Sequence, residues 1–361
     1  MPNNHHVTEF AGLPVVEFHS WDTIRDDLET AMYWARNRSE LHEERPRSHR
    51  RLLEAIADPG SVAWRLRTEP SSSYGSGGRT KAFENLQEYM YRFSVLVGQE
   101  QVRALVVGNV PDQDFQMRAA EVVDALLGLA PKLTGLRALF FGEILQEENE
   151  ISWIQLCDLA PLAAALPHLE ELVVRGGSGS LDLRLEEHPS LRRLTVQSGG
   201  LRPDVVRDVC ASGLPALEHL ELWLGVEEYG GRSTARDLAP VLSGGAFPRL
   251  RSLGLRNAGN LGSWIPVIAG APVVSSLEVL DLSLGDLTDE GGQALVEAAP
   301  AFAHLKRLDL HHHYVSEDVC ERIRAALPGV EVDLSGRGEP EVHEDEDGEE
   351  PEIHYYTAVS E

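Results

Sequence analysis

Three stretches carry the residue types and crowding that chemistry requires. Gly75-Ser76-Gly77-Gly78-Arg79-Thr80-Lys81 is glycine-rich and ends in a lysine. Loops of that composition can cradle phosphates through backbone N–H groups and an ammonium. No Gly-Lys-Ser/Thr sequence occurs, however, and Lys81 is followed by Ala82, so a flexible loop over Ser71 to Gly78 is the expectation. His311, His312 and His313 stand together and could present imidazoles to a metal. Neighbouring strand residues point to opposite faces, and no Cys or helical His pair completes a ligand set, so solvated or turn-satisfied histidines are expected. Asp345, Asp347 and Gly348 fit the third, fifth and sixth places of a calcium loop, but His343 and His354 fall on the first and twelfth. No metal and no cofactor follow from these stretches.

Nucleophilic chemistry fares no better. Cys157, Cys210 and Cys320 lie far apart, each in a helix-like segment, and read as small core residues of a reducing compartment. Neither a nucleophile elbow nor a Ser-His-Asp or Cys-His motif occurs, although a triad drawn from distant segments leaves no trace in sequence. The expectation is a protein without enzymatic activity and without catalytic residues.

The elements that position these residues are built from a chain of 361 residues, 42% of them hydrophobic, which is ample for a buried core. A formal charge of -26 argues against tracking nucleic-acid phosphates and is easier to reconcile with a basic protein partner. Much of it is crowded into Glu339 to Glu352, which reads as an extended, solvated tail. No apolar run long enough to cross a bilayer is found, and the first thirty residues do not resemble a secretion signal. An unsecreted, cytoplasmic protein that neither enters a membrane nor binds nucleic acid is expected, with its oligomeric state left open.

One frame recurs across most of the chain: a leucine, two variable residues, a second leucine, one variable residue and a third apolar residue. Its copies start at Leu136, Leu169, Leu191, Leu217, Leu250, Leu277 and Leu305, with a weaker copy at Val102 and a closing alternation at Val330, Val332 and Leu334. Alternation at the end of each frame makes a short strand with one face buried. The stretches Met117–Leu129, Asp204–Ala211, Glu290–Ala298 and Glu317–Leu327 read as helices packed behind, so successive strands must be parallel. The pattern resembles leucine-rich repeats, and the spacings of 33, 22, 26, 33, 27 and 28 residues resemble the ribonuclease-inhibitor class. That resemblance implies an α/β solenoid, a right-handed horseshoe arc with a curved parallel sheet and helices on its convex side. The 22-residue step from Leu169 to Leu191 is too short for a full convex helix and predicts an extended crossing through Leu181, Leu183 and Leu185. Where such repeats usually carry Asn or Cys, this chain has Gly177, Gly199, Gly225, Ala258, Gly285 and His313, so no asparagine ladder can form.

Residues 1–100 are expected to cap the array, with strands over Val7–Phe18 and Ser61–Thr68, helices over Ile24–Arg36 and Phe83–Val97, and a charged linker or helix extension over Arg36–Arg51. The solenoid would span 101–335 and the acidic tail 336–361, with a short strand at Tyr355–Val359 docking back. The segments V-T-E-F-A-G-L-P-V-V-E-F from Val7 to Phe18, S-V-A-W-R-L from Ser61 to Leu66 and A-V-S-E from Ala358 to Glu361 resemble an uncharacterised family of bacterial cytoplasmic leucine-rich-repeat proteins. The resemblance brings no activity with it.

The outward strand positions then define a surface: Glu171 and Arg175, Arg193, Thr195 and Gln197, His219, Glu221 and Trp223, Ser252 and Arg256, Asp281 and Ser283, and Arg307, Asp309 and His311, with Val106 and Phe140 before them. Arg175, Arg193, Gln197, His219, Glu221, Trp223, Arg256, Asp281, Asp309 and His311 are the candidate partner-binding residues, with Trp223 as apolar anchor and the arginines as bidentate donors. The function expected is a non-enzymatic scaffold, adaptor or inhibitor that holds a protein on the concave face. Two alternatives are a regulator of the GTPase-activating type, by likeness of architecture, and a structural subunit of a bacterial biosynthetic or modification complex.

Overall fold

The computed structural model describes residues 5–21, 23–25, 45–68, 84–112, 116–343 and 351–360. The Gly/Ser loop, most of the Ile24–Arg36 helix and the central part of the acidic run fall outside them.

The repeated leucines line up into a single sheet. Its strands are β1 (Glu9–Phe10), β2 (Leu13–Phe18), β3 (Ala63–Leu66), β4 (Ala104–Val107), β5 (Ala138–Phe141), β6 (Glu171–Arg175), β7 (Arg193–Gln197), β8 (His219–Gly225), β9 (Ser252–Ala258), β10 (Val279–Asp281), β11 (Arg307–Asp309) and β12 (Glu331–Asp333), ordered in space as in sequence. β1 and β2 form an antiparallel hairpin, broken at Ala11 and Gly12, which both have positive φ; every later neighbour pairs in parallel. The second position of the frame forms one column from Val16 through Trp64, Leu105, Leu139, Leu172, Leu194, Leu220, Leu253, Leu280 and Leu308 to Val332. From Trp64 to Leu308 this column is buried. The frame therefore continues into the N-terminal region, where valine and tryptophan replace leucine.

Behind the strands lie α1 (Arg45–Ala57), α2 (Leu86–Leu96), α3 (Ala119–Leu129), α4 (Pro203–Cys210), α5 (Asp289–Glu297) and α6 (Glu317–Ala326), with shorter turns between them. α2 starts at a reciprocal cap in which Asn85 and Glu88 each satisfy the other's backbone N–H. The apolar faces of these helices and the column of leucines merge into one core. Between β6 and β7 there is no helix. The chain crosses in extended form with Leu181, Leu183 and Leu185 buried, and Asp182 bridges in parallel to Asp158 of the preceding crossing. A parallel strand at each step, backed by helices or extended crossings, makes the chain an α/β leucine-rich-repeat solenoid.

Three sequence expectations are corrected. Cys157 lies in no helix and is half-buried between extended segments. The acidic stretch is not a lone extended tail: its described ends, β13 (Glu341–His343) and β14 (Glu352–His354), are extended and exposed but pair with each other in an antiparallel ladder, with Val342 opposite Ile353. Residues 355–360 form no strand; they hold to the body by individual contacts.

Candidate partner-binding face

Parallel register turns sequence spacing into columns on the face away from the helices. Glu171, Arg193, His219, Ser252, Val279 and Arg307 form one column, and Thr195, Glu221, Gly254, Asp281, Asp309 and Asp333 a second. A third pairs Arg175 with Gln197 and Trp223 with Arg256. All ten candidate residues lie on or beside these columns, yet they fall into distinct groups.

The central group is built on Arg256. Its guanidinium reaches Glu221 Oε1 at 2.9 Å, Asp281 Oδ2 at 3.3 Å and Ser283 Oγ at 2.8 Å, and it lies 5.3 Å from the centre of the Trp223 ring. The Trp223 indole donates to Glu221 Oε1 at 2.7 Å. Burial pushes the Glu221 carboxyl up, but His219, the Arg256 charge and the indole N–H outweigh it and hold the group at about 2. Asp281 goes the other way. Burial raises it, and the more distant Arg256 offsets that only in part.

His219 lies 2.9 Å from Ser252 Oγ and 3.6 Å from Glu221 Oε2, an order reminiscent of a serine–histidine–carboxylate triad. Two features argue against that use. The His–Glu separation exceeds a hydrogen bond, and Glu221 is already committed to Arg256 and Trp223. The nearby amides of His219 and Ser252 donate to Arg192 and Glu218 in the ladder, so they are not free to stabilise an oxyanion. The thiols are equally unsuited to attack: burial pushes Cys157 up to about 11 and Cys210 up to about 12, and raises Cys320.

A second group lies toward the C-terminal end. His311 Nδ1 is 2.7 Å from Asp309 Oδ1, and the Arg307 guanidinium reaches Asp309 at 2.8 Å and Asp333 at 3.3 Å. Asp309, His311 and Asp333 bring one ligand atom each within 4.8 Å of one another, the one such cluster among the described residues. Arg307 already pairs with both carboxylates, so the cluster is part of an ion-pair network. The other two histidines of the triplet are spent on backbone: His312 on Gly285 O, and His313 on Leu334 O and the Val315 N–H.

Arg175 and Gln197 stand apart. Both are half-buried, and Arg175 Nε and Gln197 Oε1 have no hydrogen-bond partner among the described residues. Burial lowers the Arg175 pKa against the opposing pull of Glu143. Arg193 is the most open of the ten, 3.6 Å from Glu171.

Both ends of the chain fold over this face. On the N-terminal side, Ala63, Ala104, Val106, Ala138, Phe140 and Val173 form an apolar patch covered by Phe10, Val7 and Leu13. Beside it, Arg65 and Glu143 make a buried pair with two contacts, at 3.1 and 3.2 Å; Glu143 also accepts from the Val7 N–H at 2.7 Å. Trp223, expected as an anchor open on the concavity, is only 4% exposed because Val359, Ile151 and Leu284 pack around it. Sequence reasoning missed Arg65, Glu143 and Asn257. Arg65 occupies an outward strand position in the S-V-A-W-R-L segment and was open to discovery; Glu143 and Asn257 act from strand ends, where no periodicity marks them.

A protein from Bacteroides fragilis of known crystal structure is 30% identical, over 70% of this chain and 70% of that one, with a TM-score of 0.65. An internalin from Listeria monocytogenes is 14% identical, over 78% of this chain and 64% of that one, with a TM-score of 0.33. A leucine-rich-repeat protein of Leptospira interrogans is 18% identical, over 77% of this chain and 62% of that one, with a TM-score of 0.32. No family model and no curated protein matches the chain. Among the described residues no helix is long and apolar enough to cross a membrane.

Proposed function

The chain belongs to the same family as the Bacteroides fragilis protein, and from the leucine-rich-repeat solenoid it forms we propose that it is a non-enzymatic scaffold that binds a protein partner on the face opposite its helices. The observation that carries this reading is the register. From β6 to β11 most outward positions are polar or charged, Val173, Trp223, Gly254 and Val279 excepted, and they are aligned in columns, so one partner could engage several repeats at once. Arg193, Gln197 and His311 are at least partly exposed, and the Arg256 and Arg307 networks set fixed charges between them. Fixed, paired charges favour specificity over raw affinity. The charge of -26 favours a basic protein partner over nucleic acid, and the three free thiols fit a cytoplasmic setting. Raised thiols and committed backbone amides support binding over turnover.

The test is cross-linking in native lysate with the native chain and with an Arg193→Glu/Arg256→Ala variant of matched melting temperature. A bona fide partner should be recovered at least tenfold less with the variant. Equal recovery of every cross-linked protein would remove the proposed face.

A further inference from the structure

Residues 356–360 run along the C-terminal ends of the central strands, and most of what holds them reads their backbone. The Val359 N–H donates to Asn257 Oδ1 at 3.0 Å, and Asn257 Nδ2 donates back to the Val359 carbonyl. Asn257 is fully buried and has φ 53°, a left-handed conformation that asparagine tolerates and that aims its amide at the tail. The Ala358 N–H donates to Leu284 O at 2.9 Å, the Ser152 hydroxyl donates to Ser360 O at 2.5 Å, and the Tyr314 hydroxyl exchanges hydrogen bonds with the backbone of Tyr356 at 2.9 and 3.1 Å. One side chain is read as well: Val359 fills a pocket made by Trp223, Leu284 and Ile151 and is 7% exposed. Gly199 leaves room for the crossing, since a Cβ there would stand 2.2 Å from Ser360 O.

Main-chain contacts combined with one apolar pocket are how proteins bind extended peptides. Here the pocket floor is Trp223, the aromatic of the proposed recognition face, and its indole is tied to the Glu221–Arg256 pair. We propose that this is a peptide-binding site which the chain fills with its own C-terminal segment, and that the partner displaces residues 356–360 with an extended segment carrying a valine-sized aliphatic side chain. The inference rests on the reading of this face as partner-binding and adds the ligand class and its built-in competitor. A tethered competitor acts at an effective concentration of about millimolar, so a partner peptide meets a closed site until it outcompetes the tail.

The test titrates a synthetic peptide of residues 351–361 into the full native chain and into a full-length Val359→Asp chain, by calorimetry. Hydrogen exchange at the Ala358 and Val359 amides reports release of the tail. The Val359→Asp chain should lose that protection and bind the peptide at least tenfold more tightly than the native chain, and a peptide carrying the same Val→Asp change should bind neither. Where Val359→Asp lowers the melting temperature, Ala358→Pro replaces it, because that change deletes the N–H given to Leu284 and leaves the Val359 side chain in place, with exchange then read at the Val359 amide. Equal affinity for native and released chains, or no binding to a released chain that melts normally, would overturn the proposal. So would a native mass that doubles with concentration and collapses in the released chain, since the tail would then serve a second copy. Partner recovery that falls with Arg193→Glu/Arg256→Ala but is indifferent to tail release would overturn self-occupancy alone and leave the scaffold reading standing.

Discussion

Arg65 and Glu143 bury opposite charges with side chains 9% and 2% exposed, a choice that is costly unless every donor and acceptor is used. Both carboxylate oxygens and the arginine's Nε and Nη2 are used: Glu143 binds the Arg65 fork, the Val7 N–H and His6, and Arg65 also reaches Val7 O. Glu143→Ala leaves the arginine buried without its carboxylate and should cost about 3–5 kcal/mol in denaturant unfolding. Glu221 makes a pH prediction. Its folded-state pKa of about 2 lies below the ordinary 4.5, so its contribution is complete above about 4.5 and is lost as pH falls toward 2. Melting curves between pH 6 and pH 3 should decline less steeply for Glu221→Gln than for the native chain; parallel declines would show that the carboxyl is not held down by its neighbours.

At the scale of the element, each strand contributes one leucine to a column that neighbouring repeats cover from both sides. Leu220 is fully buried between Leu194 and Leu253. Leu220→Ala removes its methyl groups and leaves a cavity, which should lower unfolding stability by about 2–5 kcal/mol. Strand ends obey a different constraint. Gly225 has φ 71°, and a Cβ there would stand 2.0 Å from Gly199 O. Gly225→Ala should therefore destabilise by at least about 1 kcal/mol, well beyond an ordinary surface substitution; a neutral result in thermal melts would mean that the β7 and β8 ends can separate freely. The strands were legible in sequence because their period of two is local. The extended crossing between β6 and β7 was legible too, since a 22-residue step is too short for a full convex helix.

Across the whole molecule the two ends of the chain perform similar tasks on one face, the first over its N-terminal strands and the last over its centre. The N-terminal hairpin covers an apolar patch, and residues 356–360 cover Trp223. Between them lies the polar stretch with Arg193, Gln197 and Thr195. The charge of -26 acts over all of it, so association with a basic partner should slow as salt rises from about 0.05 to 0.5 M, across which the screening length falls below about 10 Å. Stopped-flow association rates check this, and a salt-independent rate would remove the electrostatic part of the function.

The sequence by itself determined the repeat, the parallel order of the strands and which side chains share the outward columns, because burial of alternate residues is a local rule that propagates through register. It did not determine which of those side chains remain available. That Trp223 lies under Val359, that Asn257 clasps a segment 102 positions away, and that Glu143 anchors Val7 were decided only by the tertiary structure. Contacts between strand ends and distant termini follow no period, and their energy appears only once the solenoid has brought the two together.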